Sequence, residues 1–279
     1  MFKRFLILIM LILLCMPVSF AKTLTFAQIT DIHYSPDGST NSSRNVAVSK
    51  KHLYFAIMSL NKIMPQFTVF LGDQTDKSEE IALKDFLGYT SKLKMPYYFV
   101  FGNHDAYKMT GIPKDEYLSI VSKVNPRQPK NKYYYTFKPN SDVLCIVLDG
   151  SAQLAPTSHG YFPPEELIWL YKQLKRNRNK IVLIFQHFPL VPPIEHKSHD
   201  VIDAYKYWYI LSKFNNVVLI SSGHYHSEGF SVDKYGIRHI STTSLLNTPP
   251  TYDLIKIEYD KNSHLDASKV KVDVEHIRV

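Results

Sequence analysis

Five short apolar runs, each broken off by a carboxylate, an imidazole or an amide, constrain this 279-residue chain more than any other feature. Residues 24–29 end in Thr30-Asp31-Ile32-His33, residues 67–71 in Gly72-Asp73, and residues 97–101 in Gly102-Asn103-His104-Asp105. Ile181–Phe185 runs into Gln186-His187, and residues 217–220 into Ser221-Ser222-Gly223-His224-Tyr225-His226. Short runs of this kind, rich in β-branched and aromatic residues, read as buried strands. Between them lie stretches of helical period. One spans 46–64 and stops at Pro65; a second reaches about Lys94 from a Ser78 cap, with Glu79 and Glu80 in its first turn. A third opens at Pro163-Pro164-Glu165-Glu166 and carries Trp169 and Leu174, and a fourth covers 203–214. Strand and helix in alternation predict an α/β domain. Residues 133–137 and 143–148 read as a hairpin about Pro139-Asn140-Ser141-Asp142, and the last third turns to strands at 237–241, 253–259 and 270–274. No repeat or linker divides the sequence, so residues 22–279 are expected to form one domain.

Residues 1–21 stand apart. Lys3 and Arg4 precede an apolar run over 5–16, and Ser19 and Ala21 flank Phe20 in the pattern of a secretory signal cleaved after Ala21. The run is shorter than the ~20 residues of a membrane-spanning helix. Retention as an uncleaved anchor is the alternative. Leu14 is larger than lipoprotein processing accepts before a cysteine such as Cys15. The expected location is secreted or periplasmic, with no stable membrane span after cleavage. Only Cys145 would then remain, inside an apolar strand, so stability must come from the core and not from a disulfide. Lys and Arg number 33 against 25 Asp and Glu, a net +8. The excess is spread out. It suits a small anionic substrate and lacks the basic stripe of a nucleic-acid binder. Oligomeric state is not legible.

In α/β sheets ligands gather at the carboxyl ends of strands. Five such ends bring Asp, His and Asn together here, oxygen and imidazole donors without a thiolate, suited to manganese, iron or zinc. Asp31 and His33, like His224 and His226, are one residue apart and can point the same way from an extended strand end. Gly72, Gly102 and Gly223 precede donors, where a tight turn is expected. Turn chemistry accounts for Asp and Asn but not for four histidines at strand ends.

The ordered set Asp31-x-His33, Gly72-Asp73, Gly102-Asn103-His104-Asp105, His187 and Gly223-His224-x-His226 resembles the calcineurin-like metallophosphoesterases. The resemblance implies a four-layer α/β/β/α sandwich of two mixed β-sheets flanked by helices, with a site for two metal ions. Asp31, His33 and His226 would hold one ion, and Asn103, His187 and His224 the other, with Asp73 bridging them. A hydroxide between the ions would attack the phosphorus of a mono- or diester. His104 would serve the leaving-group oxygen, oriented by Asp105. Purple acid phosphatases carry a tyrosine where this chain has Asp76 and lack the first histidine; lipid A pathway pyrophosphatases carry arginine in place of His104. Both branches are therefore disfavoured, and the sequence looks most like the phosphodiesterase branch. The rival reading, a non-catalytic metal- or phosphate-binding protein, is disfavoured by the complete donor set. His159, His196 and His199 lie in loops that would rim the site, whereas His52, His239 and His276 read as packing or surface residues. The loops expected around a substrate are 34–44, 106–132 and 189–200.

Overall fold

A computed structural model describes residues 21–38, 44–106, 111–152, 157–195, 199–260 and 262–279. The expected signal segment, up to Phe20, and His196 lie outside the described residues. Each apolar run becomes a strand: β1 (Lys22–Ile29), β2 (Phe67–Phe70), β3 (Tyr97–Phe99), β7 (Ile181–Phe185) and β9 (Val217–Ser222). The hairpin forms as β4 (Tyr135–Phe137) and β5 (Val143–Val147), paired antiparallel. Short β6 (Gly160–Tyr161) and β8 (Val201–Ile202) pair with each other, and β10 (Gly229–Val232), β11 (Arg238–Ser241), β12 (Thr251–Tyr259) and β13 (Lys271–Arg278) complete the strands.

The helices are α1 (Ser49–Ile63), α2 (Glu80–Thr90), α3 (Lys114–Val124), α4 (Pro164–Arg176) and α5 (Ala204–Leu211). Helix α1 stops at Met64, which takes φ 56° and returns its N–H to the Leu60 carbonyl, because Pro65 disfavours a helical residue before it. Two expectations are corrected. Ser78 does not cap α2; its hydroxyl donates to the Ile112 carbonyl at 3.2 Å, and the helix begins after Glu79. The helix also ends at Thr90, since Lys94 has already turned away to meet the Asn61 side chain. Helix α3 falls in a stretch read from sequence as loop. Tyr117, Leu118 and Val121 bury its inner face, the i, i+3, i+4 spacing of a short amphipathic helix.

The strands form two mixed sheets, ordered β13-β12-β1-β2-β3 and β10-β11-β9-β7-β5-β4. In the first, β1, β2 and β3 are parallel. In the second, β5, β7, β9 and β11 are parallel. Three apolar layers give the expected four-layer sandwich. One packs α1, α2 and α3 on the first sheet through Leu53, Leu83, Phe86 and Tyr117. The middle layer joins the sheets through Phe26, Phe67, Phe185 and Ile255, with Cys145 buried and unpaired among them. The third holds α4 and α5 on the second sheet through Leu170, Leu174, Tyr207 and Leu211. Parallel strands in both sheets end on one side, and the polar residues after them meet there. Among the described residues no helix is long and apolar enough to cross a membrane.

Candidate metal centre

Two carboxylates face each other across the seam between the sheets. Asp31 follows β1, and its Oδ2 accepts the His224 N–H at 2.9 Å, so the end of β1 grips the end of β9. Asp73 follows β2, and its Oδ1 accepts the His104 N–H at 2.8 Å. Each carboxylate therefore spends one oxygen on backbone and turns the other inward. Asp31 Oδ1 lies 3.4 Å from His226 Nε2 and 3.9 Å from His33 Nε2. Asp73 Oδ2 lies 3.4 Å from His187 Nε2 and 3.7 Å from His33 Nε2, between the two histidine groups.

The outer nitrogens of these histidines fix which nitrogen faces inward. His187 Nδ1–H donates to the Leu71 carbonyl at 2.7 Å, leaving Nε2 as donor atom. His224 Nε2–H donates to the Ser158 carbonyl at 2.7 Å, leaving Nδ1. His33 Nδ1 lies 3.3 Å from Asp76 Oδ1, leaving Nε2. Anchoring of this kind is how proteins orient imidazole toward a metal. The inward nitrogens then crowd: His33 Nε2 and His226 Nε2 are 3.1 Å apart, and His224 Nδ1 and His187 Nε2 are 3.2 Å apart. Lone pairs so close repel unless a proton or cation lies between them.

Donor atoms of Asp31, His33 and His226 lie within 4.8 Å of one another, as do those of Asp73, His187 and His224. The structure thus assembles both half-sites read from the sequence, with Asp73 reaching toward each. Asn103 joins them: it lines the cavity over the site, and its buried Oδ1 meets no hydrogen-bond partner. Asp31 Oδ1 is orphaned likewise. Buried polar atoms left unpaired inside a ring of imidazoles are what a two-cation site leaves when only its protein part is drawn, so the donor set fits two ions.

Charge tells the same story. Burial pushes Asp73 up, but the His187 and His104 charges outweigh it and hold the carboxyl well below its usual range. Burial also raises Asp31, and His226 more than reverses that. His187 is driven down by burial yet carried to about 9 by Asp73 and Asp31. Burial lowers His33 to about 4 and, with the neighbouring His187, His224 to about 3. Asp31, Asp73, His33 and His224 are therefore already in the protonation states that metal binding requires, whereas His187 and His226, both shifted up by the carboxylates, would release a proton to an ion.

The backbone is shaped for this purpose. Asp31, His33, Asp73, His224 and His226 take φ of 50°, 43°, 51°, 72° and 54°, the left-handed region that non-glycine residues seldom enter. The adjacent glycines serve in two ways. Gly72 supplies a positive φ of 100°. At Gly223 the constraint is contact, since a Cβ would stand 1.9 Å from Thr30 Oγ1.

Asp105 is a correction. Its Oδ1 accepts from the Gln74 and Thr75 N–H groups and the Tyr117 hydroxyl, and its Oδ2 from the Gly102 N–H. It pins the loop ends of β2 and β3 instead of orienting the His104 ring; burial, then the Asp73 charge, raises it to about 7. The His104 ring is held by the Asp76 carbonyl, which accepts from Nδ1 at 2.7 Å. Asp76 itself is missed by the sequence reading, which notes only that it is not tyrosine. Its carboxylate also accepts from Arg44 Nη2 at 3.1 Å.

A cavity of about 350 Å³ opens over the centre, lined by Arg44, Asn103, His104, Ile194, His199 and Tyr225 among others. The loops expected at 34–44 and 189–200 reach it. Of the rim histidines, the His199 ring lies 4.9 Å from that of His224, tilted by 42°, while His159 is turned toward the Asp200 carbonyl and does not line the cavity. His52, His239 and His276 bond to Leu245, Asp233 and Asp253, the packing roles expected of them.

The sequence profile described as "Calcineurin-like phosphoesterase" matches residues 24–228. A protein of Arcobacter nitrofigilis named "Probable glycerophosphodiester phosphodiesterase GpdQ" is 29% identical over 204 residues, covering 71% of this chain and 70% of its own. The "Manganese-dependent ADP-ribose/CDP-alcohol diphosphatase" of Arabidopsis thaliana is 26% identical over 72% of this chain and 78% of its own. A dimetal phosphatase from Danio rerio shares the fold, with TM-score 0.69 and 18% identity over 89% of this chain and 98% of that one.

Proposed function

Because this chain belongs to the calcineurin-like phosphoesterase family, we propose that it is an exported, two-metal phosphodiesterase acting on a small diester or diphosphate. The observation that carries this is the position of the Asp73 Oδ2, between His187 Nε2 and His33 Nε2. Asp31, His33 and His226 would hold one ion and Asn103, His187 and His224 the other, with Asp73 available to both. Two cations held by these residues would supply charge neutralisation for a phosphoryl group and lower the pKa of a water.

The chain's own residues supply the rest. His104 donates Nδ1–H to the Asp76 carbonyl, which leaves Nε2 free to exchange a proton with the leaving-group oxygen over the cavity. The cavity extends past the donors to Ile194, His199 and Tyr225, room for a second ester substituent, and the names of the related proteins also support a diester or diphosphate. Export rests on the signal pattern of residues 1–21, and the amino-terminal residue of the protein recovered outside the cytoplasm should be Lys22.

Metal analysis and turnover test the reading together. Purified protein should hold two equivalents of metal and cleave bis-p-nitrophenyl phosphate faster than p-nitrophenyl phosphate when manganese is added. Asp73→Ala should lose metal and activity together. His104→Ala should keep its metal and slow turnover by about 10²–10⁴-fold; full activity in this variant on every ester tried would remove the proton-transfer role.

A further inference from the structure

Away from the metal centre, helices α4 and α5 leave an apolar groove of about 510 Å³ on the outer face of the second sheet, lined by Leu167, Ile168, Tyr171, Tyr205, Tyr209 and Ile210. Ile168 is 54% exposed, Tyr205 66% and Tyr209 65%. Ile202, at the end of the short β8, is also 50% exposed. Apolar side chains gathered at this density mark a surface that docks on something.

We propose that this face seats the domain on an anionic phospholipid bilayer. Two observations choose that occupant. Tyrosines dominate the patch, and their apolar rings with polar tips suit the headgroup level. The rim is cationic. Lys172, Lys175, Arg176 and Arg178 lie along the end and exit of α4, and Lys206 and Lys213 on and after α5. The Lys213 ammonium lies 4.4 Å from the centre of the Tyr209 ring. Against these stand Glu165 and Asp203, and Asp203 is already paired with Lys206 at 2.6 Å. Glu166 is buried, so it adds no surface charge. A second copy of the chain seated face to face would set these cations against themselves, whereas anionic headgroups attract them.

The contact is peripheral and does not depend on what the metal centre hydrolyses.

The test uses the mature chain from Lys22, in which Cys145 is the one remaining cysteine and is buried, and places an environment-sensitive fluorophore at Ile168→Cys. A control carries it at Met58→Cys on α1, in the opposite helical layer, where Met58 is 53% exposed. Vesicles of phosphatidylcholine with phosphatidylglycerol should shift emission to the blue at position 168 and leave position 58 unchanged. Vesicles of phosphatidylcholine alone should do much less. Replacing Lys172, Lys175 or Lys213 by Gln should weaken partitioning about fivefold for each charge removed, with the melting temperature retained. The proposal is overturned by an unchanged signal at position 168, by equal signals at both positions, or by equal response to neutral and anionic vesicles. A shift that grows with protein concentration without lipid overturns it in favour of self-association.

Discussion

Asp76 serves the site through two different groups. Its carboxylate stands 3.3 Å from His33 Nδ1 and accepts from Arg44, while its main-chain carbonyl accepts from His104. Asp76→Ala removes the first pair of contacts and spares the last. We expect manganese affinity to fall about 10–100-fold, with most of kcat restored at saturating manganese because His104 keeps its anchor. Calorimetric metal titration beside kcat at high manganese measures both; a kcat that no metal concentration restores would show the carboxylate acting beyond His33. The contrast with Asp105 shows what a sequence can and cannot display. The seven proposed donors are legible because each follows an apolar strand and four of them form two pairs one residue apart. Asp105 sits beside His104 in the chain yet points into the loop knot of Gln74, Thr75 and Tyr117. Asp76 and the Ser158 carbonyl act through loop geometry or a main-chain oxygen, and neither leaves a mark in residue type.

Strand β5 and helix α4 are joined by a buried polar knot. Glu166, in the first turn of α4, accepts the Asp149 N–H at 2.6 Å, and Asp149 meets the Lys114 ammonium at the start of α3. Lys114 also donates to the Ser151 carbonyl and hydroxyl at 2.9 and 2.8 Å. Burial first, then the Asp149 charge, raises the Glu166 carboxyl well above its usual range. The folded chain therefore keeps a proton that the unfolded chain releases above about pH 4.5, and stability falls as pH rises past that point. Glu166→Gln keeps an acceptor for Asp149 and ends the titration. Its melting temperature should exceed the wild-type value more at pH 8 than at pH 5, by about 2–4 °C for each kcal/mol gained. Scanning calorimetry at both values checks this; an equal difference at the two would exclude Glu166 as the source. Lys114 also explains why α3 escaped the sequence reading. Its first residue is a buried cation whose partners, Asp149 and Ser151, come from the segment after β5, and the helix start lacks the usual capping residue. Strands were easier to read, because an apolar run of five needs only burial on both faces.

The two sheets contribute unequal halves of the donor set. Asp31, His33, Asp73 and Asn103 follow strands of the first sheet, and His187, His224 and His226 follow strands of the second. Ions held between them would clasp the sandwich across its seam, so metal should stabilise the entire fold. At a free concentration a hundred times the dissociation constant the gain is about 2.7 kcal/mol, or roughly 5–10 °C in melting temperature. Manganese added to chelator-treated protein should raise the melting temperature steadily with the logarithm of its concentration, and Asp73→Ala should remain flat. A wild-type transition indifferent to metal would place the clasp elsewhere. The left-handed backbone at Asp31, His33, Asp73, His224 and His226 has an evolutionary corollary. Glycine adopts that conformation without strain, so a descendant freed from hydrolysis would gain robustness by exchanging its donors for glycine. Erosion toward glycine at those five positions would then identify the relatives that have retired from chemistry.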